Sequence, residues 1–338
     1  MRNLIQLFCS SCAAAVFVLL CLPVNGAELQ KYTTLRVATY NVENFFDRYD
    51  DPYINDMNKD NGTKPKKWTE LSALARVIKA VNADVLALQE IENRGVLEEF
   101  NRAYLGDMGY RHVILVEANN SHASDRSRGI DVALLCRVPV TAVTTYQNRE
   151  FPLRGDMKRF SRDFLHVRLK PYGFPETHIF VLHAPSKLGE RRAYYRRLAE
   201  ARESAEILTE QFAGDTNAFI IITGDFNDET DSRSLGLYTS IPAVPLKRLP
   251  ALDGKGRAYT WYGGKESPFP PNTFDHILVS RSAEKATVGG RAHIWNDTDA
   301  AKASDHRPVY MTMRGRLQSA VTNVIRSPLP QPVRQATE

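Results

Sequence analysis

The chain has 338 residues, of which 43% are apolar and 25% charged. That length and composition allow a large packed core and exclude a wholly disordered or membrane-embedded chain. The formal charge of +5 is mildly basic, compatible with a polyanionic partner but too small to name one.

The N-terminus reads as a leader rather than part of the fold. Arg2 supplies a positive start, and Ala13 to Leu22 form an apolar run too short for the ~20 residues of a spanning helix. Val24 and Gly26 occupy the small-residue positions of a cleavage site, so residues 1–26 are expected to be a signal peptide and the protein to be exported, to a periplasm or beyond the cell. Arg2 is the only charged residue of that leader, which leaves +4 on the remainder. Cys9, Cys12 and Cys21 also fall within it, so Cys136 alone remains, in an apolar run where a buried, inert thiol is expected.

Beyond the leader, β-rich runs alternate with helical patterns. Strands are predicted at Leu35 to Tyr40, Val85 to Leu88, Val132 to Cys136, Phe164 to Leu169, Ile179 to Leu182, Ile220 to Thr223, Phe274 to Val279 and Val309 to Thr312. Several are apolar on both faces, as in a sheet covered on each side. One helix is predicted over Thr69 to Val81, with Leu71, Leu74, Ala75 and Ile78 on one face. A second is predicted over Glu190 to Phe212, where Leu198, Ala201, Ala205, Leu208 and Phe212 form one stripe. Its opposite face carries Arg196, Arg197, Arg202 and Glu203, which reads as a solvated surface. Asp47 to Lys67 and Asn119 to Arg128 read as polar loops, and the proline-bearing stretch 317–338 as a loose tail. No boundary interrupts 32–316, which is read as one domain.

Polar residues gather at the strand ends. Asn41 and Glu43 follow the first strand, Glu90 the second, His183 the fifth, and Asp225 and Asn227 the sixth; Asp275 opens the seventh, and Asp305 and His306 precede the last. Layered α/β folds present functional groups at such ends. Carboxylates, amides and imidazoles without a thiolate cluster suit Mg²⁺, Mn²⁺ or Ca²⁺. A metal with a His–Asp pair suits hydrolysis of a phosphate ester.

The segments Thr39-Tyr40-Asn41-Val42-Glu43-Asn44, Leu88-Gln89-Glu90, Leu182-His183-Ala184-Pro185-Ser186, Gly224-Asp225-Phe226-Asn227, Phe274-Asp275-His276-Ile277 and Ser304-Asp305-His306-Arg307-Pro308 resemble, in order, the motifs of the endonuclease/exonuclease/phosphatase superfamily. The histidine motif is closest to its DNase I branch. Each motif alone is weak; six in order across nearly the whole remaining chain are not. His276 departs from the Tyr, Arg or Gln usual after the penultimate aspartate, and Leu182 stands where many members carry Asn.

The resemblance implies an α/β fold: a four-layer α/β/β/α sandwich of two mainly antiparallel sheets, with the site at one edge. It implies Glu90 as main metal ligand, with Asn41 and Glu43 or Asp305 assisting, and Mg²⁺ ahead of Mn²⁺ or Ca²⁺. His306 would be the general base, oriented by Asp275. Asp225 and Asn227 would position nucleophile and phosphate, with Asn41 contributing to substrate binding, and His183 would serve the phosphate or leaving oxygen. Arg162 resembles a phosphate-contacting arginine. Asp131 could orient His183 or cap a turn, and Trp261 with Tyr262 could stack on a substrate or pack in the core. Lys187, Arg191 and Arg192 could follow a phosphate backbone or belong to a solvated helix start. The expected protein is a monomeric nuclease acting on DNA or RNA with no obligate protein partner. The alternatives are a phospholipase C-type or inositol-phosphate enzyme, for which Phe269 is a thin membrane candidate, and a binding module with a dead site.

Overall fold

The computed structural model describes residues 32–49, 64–117, 119, 129–263 and 269–316. The expected signal peptide, the C-terminal tail and most of both polar loops lie outside those residues. The elements in order are β1 (Tyr32–Phe45), α1 (Trp68–Val81), β2 (Val85–Ile91), α2 (Arg94–Tyr104), β3 (His112–Leu115), β4 (Asp131–Cys136), β5 (Val140–Thr144), β6 (Glu150–Leu153), β7 (Asp156–Arg159), β8 (Leu165–Leu169) and β9 (Thr177–His183). They continue as α3 (Glu190–Phe212), β10 (Phe219–Asp225), α4 (Arg233–Thr239), β11 (Leu246–Arg248), β12 (Ala251–Leu252), β13 (Asp275–Ser280), α5 (Arg281–Ala286), β14 (Ala292–Ile294), α6 (Ala300–Ala303) and β15 (Val309–Arg316).

Two mixed sheets form the centre. One has seven strands in the order β12-β14-β15-β1-β2-β4-β3, the other six in the order β11-β13-β10-β9-β8-β5. Parallel pairing occurs between β1 and β2, β9 and β10, and β12 and β14; the remaining neighbours are antiparallel. Alternation along each strand decides what each face buries. On β1, Leu35 and Val37 join the core between the sheets with Ile179, Val181, Ile221 and Ile277, while Ala38 and Tyr40 face the helices. The outer face of the seven-stranded sheet packs on α1, α2 and α6 through Leu74, Ile78, Leu97, Phe100 and Ala303. The outer face of the six-stranded sheet packs on α3 and α4 through Ile207, Leu208, Leu235 and Tyr238. The result is the expected α/β/β/α sandwich.

All eight predicted strands and both predicted helices form. What escaped the pattern is short or lies at an edge: β3, β5, β6, β7, β11, β12 and β14 have between two and five residues. The short helices α4, α5 and α6 were also missed, and so was α2, though Asn93 caps it by accepting a hydrogen bond from Val96 N at 2.9 Å. The solvated face expected on α3 needs correction. Arg197 and Glu203 are buried, because the β6–β7 hairpin and α4 close over that side, and each is in an ion pair, with Asp228 and Arg149 respectively. Cys136 is buried as expected, and burial pushes its thiol up to about 12. Among the described residues no helix is long and apolar enough to cross a membrane.

Two histidines sit beneath α3. His166 stacks on Phe180 at 4.1 Å, and its Nε2 lies 3.0 Å from His178 Nδ1. Burial first, and then the His178 imidazole, push His166 down to about 3. At pH above the ordinary histidine value of 6.5 this group is neutral folded or unfolded and has no effect on stability. Below it the unfolded chain binds a proton that the folded chain refuses, so stability falls as pH drops, by at most about 1.4 kcal/mol per pH unit. His166→Phe keeps the ring stack and removes the titration. Its urea midpoint is expected to fall less steeply than that of the wild type between about pH 6 and pH 4; parallel slopes would show that His166 does not drive the acid loss.

Candidate active site

The site begins as one rung of the six-stranded sheet. The register pairs Asp225 with His183 of β9 on one side and with Asp275 of β13 on the other. All three share the face of Ile221, Val181 and Ile277, so they continue the core between the sheets to its polar end. Gly224 makes this rung possible: its φ is +151°, and a Cβ there would lie 2.0 Å from the Leu182 carbonyl oxygen. Asn227, at φ +49°, turns its chain back so that its N–H donates to Asp225 Oδ1 at 2.8 Å and its Nδ2 donates to Ala184 O at 2.9 Å and Asp225 Oδ2 at 3.1 Å. The Asx-turn of Asp225 is therefore present and serves the cluster.

The facing sheet contributes Asn41, Glu43 and Glu90. These lie within β1 and β2 rather than beyond them, because both strands run past the predicted ends. Simple alternation would put Glu90 with Leu86 and Leu88 on the helix side. A bulge after Gln89, with Glu90 at φ +66°, turns it to the inner side instead. Asn41 Nδ2 donates to Glu90 Oε1 at 3.3 Å and to Asp225 Oδ2 at 3.0 Å, tying the two sheets together. Its Oδ1 accepts from Glu43 N at 3.0 Å, and Glu90 Oε2 accepts from Asn44 N at 2.8 Å.

His306 enters from the segment before β15. Ser304 Oγ donates to Asn41 O at 2.7 Å and accepts from His306 N at 3.0 Å, which fixes the approach. His306 Nδ1 meets Asp275 Oδ2 at 2.8 Å, and His306 Nε2 lies 3.8 Å from Asp225 Oδ2. Thr260 Oγ1 accepts from the N–H groups of Phe274 and Asp275 at 2.9 and 3.0 Å and anchors the other half of that pair. His183 Nε2 lies 3.5 Å from Asp225 Oδ2 and 3.9 Å from Glu90 Oε1. Asp305 accepts from Trp261 Nε1 at 3.0 Å, and its N–H donates to Glu43 Oε2 at 3.1 Å.

This arrangement concentrates negative charge. Burial, and then Asp275, push Asp225 up to about 7, against the pull of His306, Asn227 and Asn41. Burial works against a proton on His306, but Asp275, Asp225 and Asp305 outweigh it and hold the imidazole well above the ordinary histidine value. Glu43 is raised by burial and by Asp305, and burial lowers Lys66 beside it. Such a cluster favours a cation. Ligand atoms of Asp225, Asp275 and His306 lie within 4.8 Å of one another, which could hold a metal ion. That ion would compete with the hydrogen bond between Asp275 and His306. Glu90, Asp225, Glu43 and Asp305 offer hard oxygens without disturbing it.

A cavity of about 690 Å³ opens above these groups, lined by Glu43, Glu90, His183, Asp225, Asn227, Asp305 and His306. Its apolar wall is Trp261, Phe269, Pro270 and Phe274, with Trp261 stacked on Phe274 at 5.3 Å. Asn41 and Asp275 do not line it; they are buried beneath their partners. Arg162 also lies elsewhere, beside a narrow void behind His183 that Asp163 and Phe164 share. Tyr262 donates to Asn296 Oδ1 at 3.3 Å, and Asp131 is buried at the start of β4. His276 is structural: it is buried, its Nε2 lies 3.0 Å from Asp228 O, and burial pushes it down to about 4.

The sequence reading gave no role to Thr260, Ser304 or Asp228. Ser304 opens the last motif and Asp228 directly follows Gly224-Asp225-Phe226-Asn227, which was the available signal. Asp228 accepts from Ser234 Oγ at 2.6 Å and pairs with Arg197 at 3.3 Å and Lys187 at 3.1 Å, fixing Lys187 on the cavity wall.

Residues 36–244, more than half of the chain, match the Endonuclease/Exonuclease/phosphatase family. No curated protein matches the sequence. Among solved structures, an endonuclease/exonuclease/phosphatase family protein from Bacteroides thetaiotaomicron is 20% identical with a TM-score of 0.54, over 85% of this chain and 99% of that one. The human Nocturnin catalytic domain with bound sulfate is 16% identical with a TM-score of 0.55, over 84% and 97%. Sphingomyelinase C from Streptomyces griseocarneus is 17% identical with a TM-score of 0.56, over 83% and 99%. At these identities the likeness is one of fold.

The bridging amide of Asn41 generates a prediction. Asn41→Ala removes the tie between Glu90 and Asp225 and is expected to cost about 1–3 kcal/mol of stability. Asn41→Asp adds a carboxylate to the cluster and is expected to cost roughly 3–5 kcal/mol in EDTA, much of it recovered with a divalent cation. Urea unfolding with and without Mg²⁺ measures both; an Asn41→Asp protein as stable in EDTA as Asn41→Ala would contradict the charge argument.

Proposed function

The chain belongs to the endonuclease/exonuclease/phosphatase family, whose members hydrolyse phosphoric esters, and from that premise we propose that it is a divalent-metal-dependent phosphodiesterase cleaving nucleic acid. The observation that carries the reading is the His306–Asp275 pair, at 2.8 Å, with His306 Nε2 turned to the cavity that Glu90 and Asp225 share.

In this reading Asp275 accepts the Nδ1 proton of His306, and Nε2, which would be bare once a cation offset the carboxylates that raise the imidazole, takes a proton from water as the water attacks phosphorus. Asp225, held by Asn227 and Asn41, orients that water and the phosphate. His183 donates to a phosphate oxygen or gives its proton to the departing oxygen as the P–O bond breaks. Glu90 is the main ligand of a divalent cation, with Glu43 or Asp305 assisting. Asn41 acts chiefly by holding Glu90, since its own oxygen already accepts from Glu43 N. The cation, Mg²⁺ ahead of Mn²⁺ or Ca²⁺, supplies charge neutralisation at the phosphate when bound. Export belongs to the same proposal and is supported by the apolar run Ala13 to Leu22 and the small residues before Ala27.

A second reading has its own support. Phe269 and Leu188 both line the cavity and are 56% and 80% exposed, which suits a substrate with an apolar portion such as a phospholipid.

Supercoiled plasmid, sphingomyelin and inositol polyphosphates, each with Mg²⁺, Mn²⁺, Ca²⁺ or EDTA, separate these readings. Nicking of plasmid is expected with a divalent cation and not in EDTA, and it should fall roughly 10²–10⁴-fold in His306→Ala. Intact plasmid with release of phosphocholine or phosphate would move the substrate to the lipid or inositol class.

A further inference from the structure

The arginines around the first turns of α3 fall into two groups. Arg149 pairs with Glu203 and Glu210, both at 2.6 Å, Arg159 with Glu150 at 3.0 Å, Arg196 with Glu200 at 2.7 Å and Arg197 with Asp228 at 3.3 Å. These are neutralised and hold the hairpin and helix together. Arg154, Arg191 and Arg192 are in no ion pair among the described residues. Yet the fold brings two of them together: the Arg154 guanidinium lies 4.3 Å from the centroid of the Tyr195 ring, and that of Arg191 lies 5.8 Å from it. Tyr194, 36% exposed, packs edge-on against Tyr195 at 5.5 Å.

Local structure enforces this. Leu153 pairs with Asp156, so Arg154 and Gly155 form a two-residue hairpin turn at φ +55° and +91°. Both central residues are left-handed, the geometry that matches strand twist and that an arginine adopts only at some strain. The hairpin thereby presents Arg154 to α3. Among the described residues no carboxylate pairs with them, and like charges gathered on one aromatic ring repel each other, a repulsion that an anion between them relieves.

The cluster adjoins the cavity. Lys187 and Leu188 line it, and Arg191 follows Lys187 by four residues. Even fully extended, that span is about 14 Å, roughly four nucleotides of a strand rising about 3.4 Å each.

We propose that Arg154, Arg191 and Arg192, with the ring of Tyr195, form a docking surface for the nucleic-acid strand that leads away from the cleaved phosphate. The proposal rests on the nuclease reading of the cavity and adds a site outside it. Guanidiniums contact successive phosphates, the Tyr195 ring holds two of them in place, and the exposed Tyr194 offers a face for a base in single-stranded regions. The paired arginines of the same region take no part, because their charge is already matched.

The test uses the full chain and a variant, Arg154→Asn/Arg191→Ala/Arg192→Ala, in which asparagine tolerates the left-handed turn. Binding of a fluorescent DNA oligonucleotide is followed by anisotropy in EDTA over a range of salt. Hydrolysis of bis(4-nitrophenyl) phosphate, a diester with no strand to dock, is followed with a divalent cation. The variant is expected to bind DNA roughly tenfold or more weakly at low salt, with a salt slope shallower by about 2–3, and to hydrolyse the small diester at the wild-type rate. A triple lysine variant restores most of the binding. DNA affinity and salt slope unchanged in the first variant would overturn the proposal. So would a loss confined to binding of phosphatidylserine vesicles, which would assign the surface to a membrane. DNA bound through these arginines but left uncut with every cation would overturn the nuclease reading of the cavity and keep the surface.

Discussion

One buried amide joins the two halves of the sandwich at the point where chemistry is needed. Asn41 reaches from the seven-stranded sheet to Glu90 beside it and to Asp225 across the interface. An amide suits this position because it is neutral and can donate to both carboxylates at once. A carboxylate there would repel both partners, and an aliphatic side chain would leave them apart. The backbone of the same residue accepts from Ser304, which delivers His306. The spacing of Glu90, Asp225 and His306 therefore follows from how closely the sheets approach around Asn41.

The sheets reach that arrangement by departing from regular strand geometry. Glu43, Asn44, Glu90 and Asn227 all have positive φ, which non-glycine residues adopt at some cost. Each lies at or beside the cluster. At Glu90 the departure reverses the side of the sheet on which the carboxylate emerges, and Ile91 then returns to the helix-side core. Regular strands pack the interior, and irregular ends aim the polar groups.

Charge is distributed to match. The cavity gathers Glu43, Glu90, Asp225 and Asp305 at its wall, with Asp275 beneath, more negative charge than its neighbouring histidines and lysines offset comfortably, as the raised Asp225 and His306 register. Outside it, α3 keeps guanidiniums that are in no ion pair among the described residues. An acidic cavity that recruits a cation and a basic approach that attracts a polyanion are complementary: the cation makes the cavity acceptable to a phosphate that the arginines have brought near.

Much of this was legible in the chain. Apolar runs of strand length marked the eight main strands, one periodic stripe marked α3, and six short motifs in order pointed to the family and to the residues that converge. These signals survive in sequence because they are local: alternation, helical period, and a few polar residues where a strand stops. The short edge strands carried too few residues to stand out, and the burial of Arg197 and Glu203 depended on elements distant in the chain. Only the tertiary structure decided that Glu90 turns inward, since a bulge reverses a parity that sequence periodicity would assign the other way. It alone brought Asn41 to Asp225 and Asp228 to Lys187, put Arg162 beside the void behind His183, and separated arginines ion-paired among the described residues from those that are not. Those outcomes depend on which surfaces meet when two sheets pack, and no single segment contains that information.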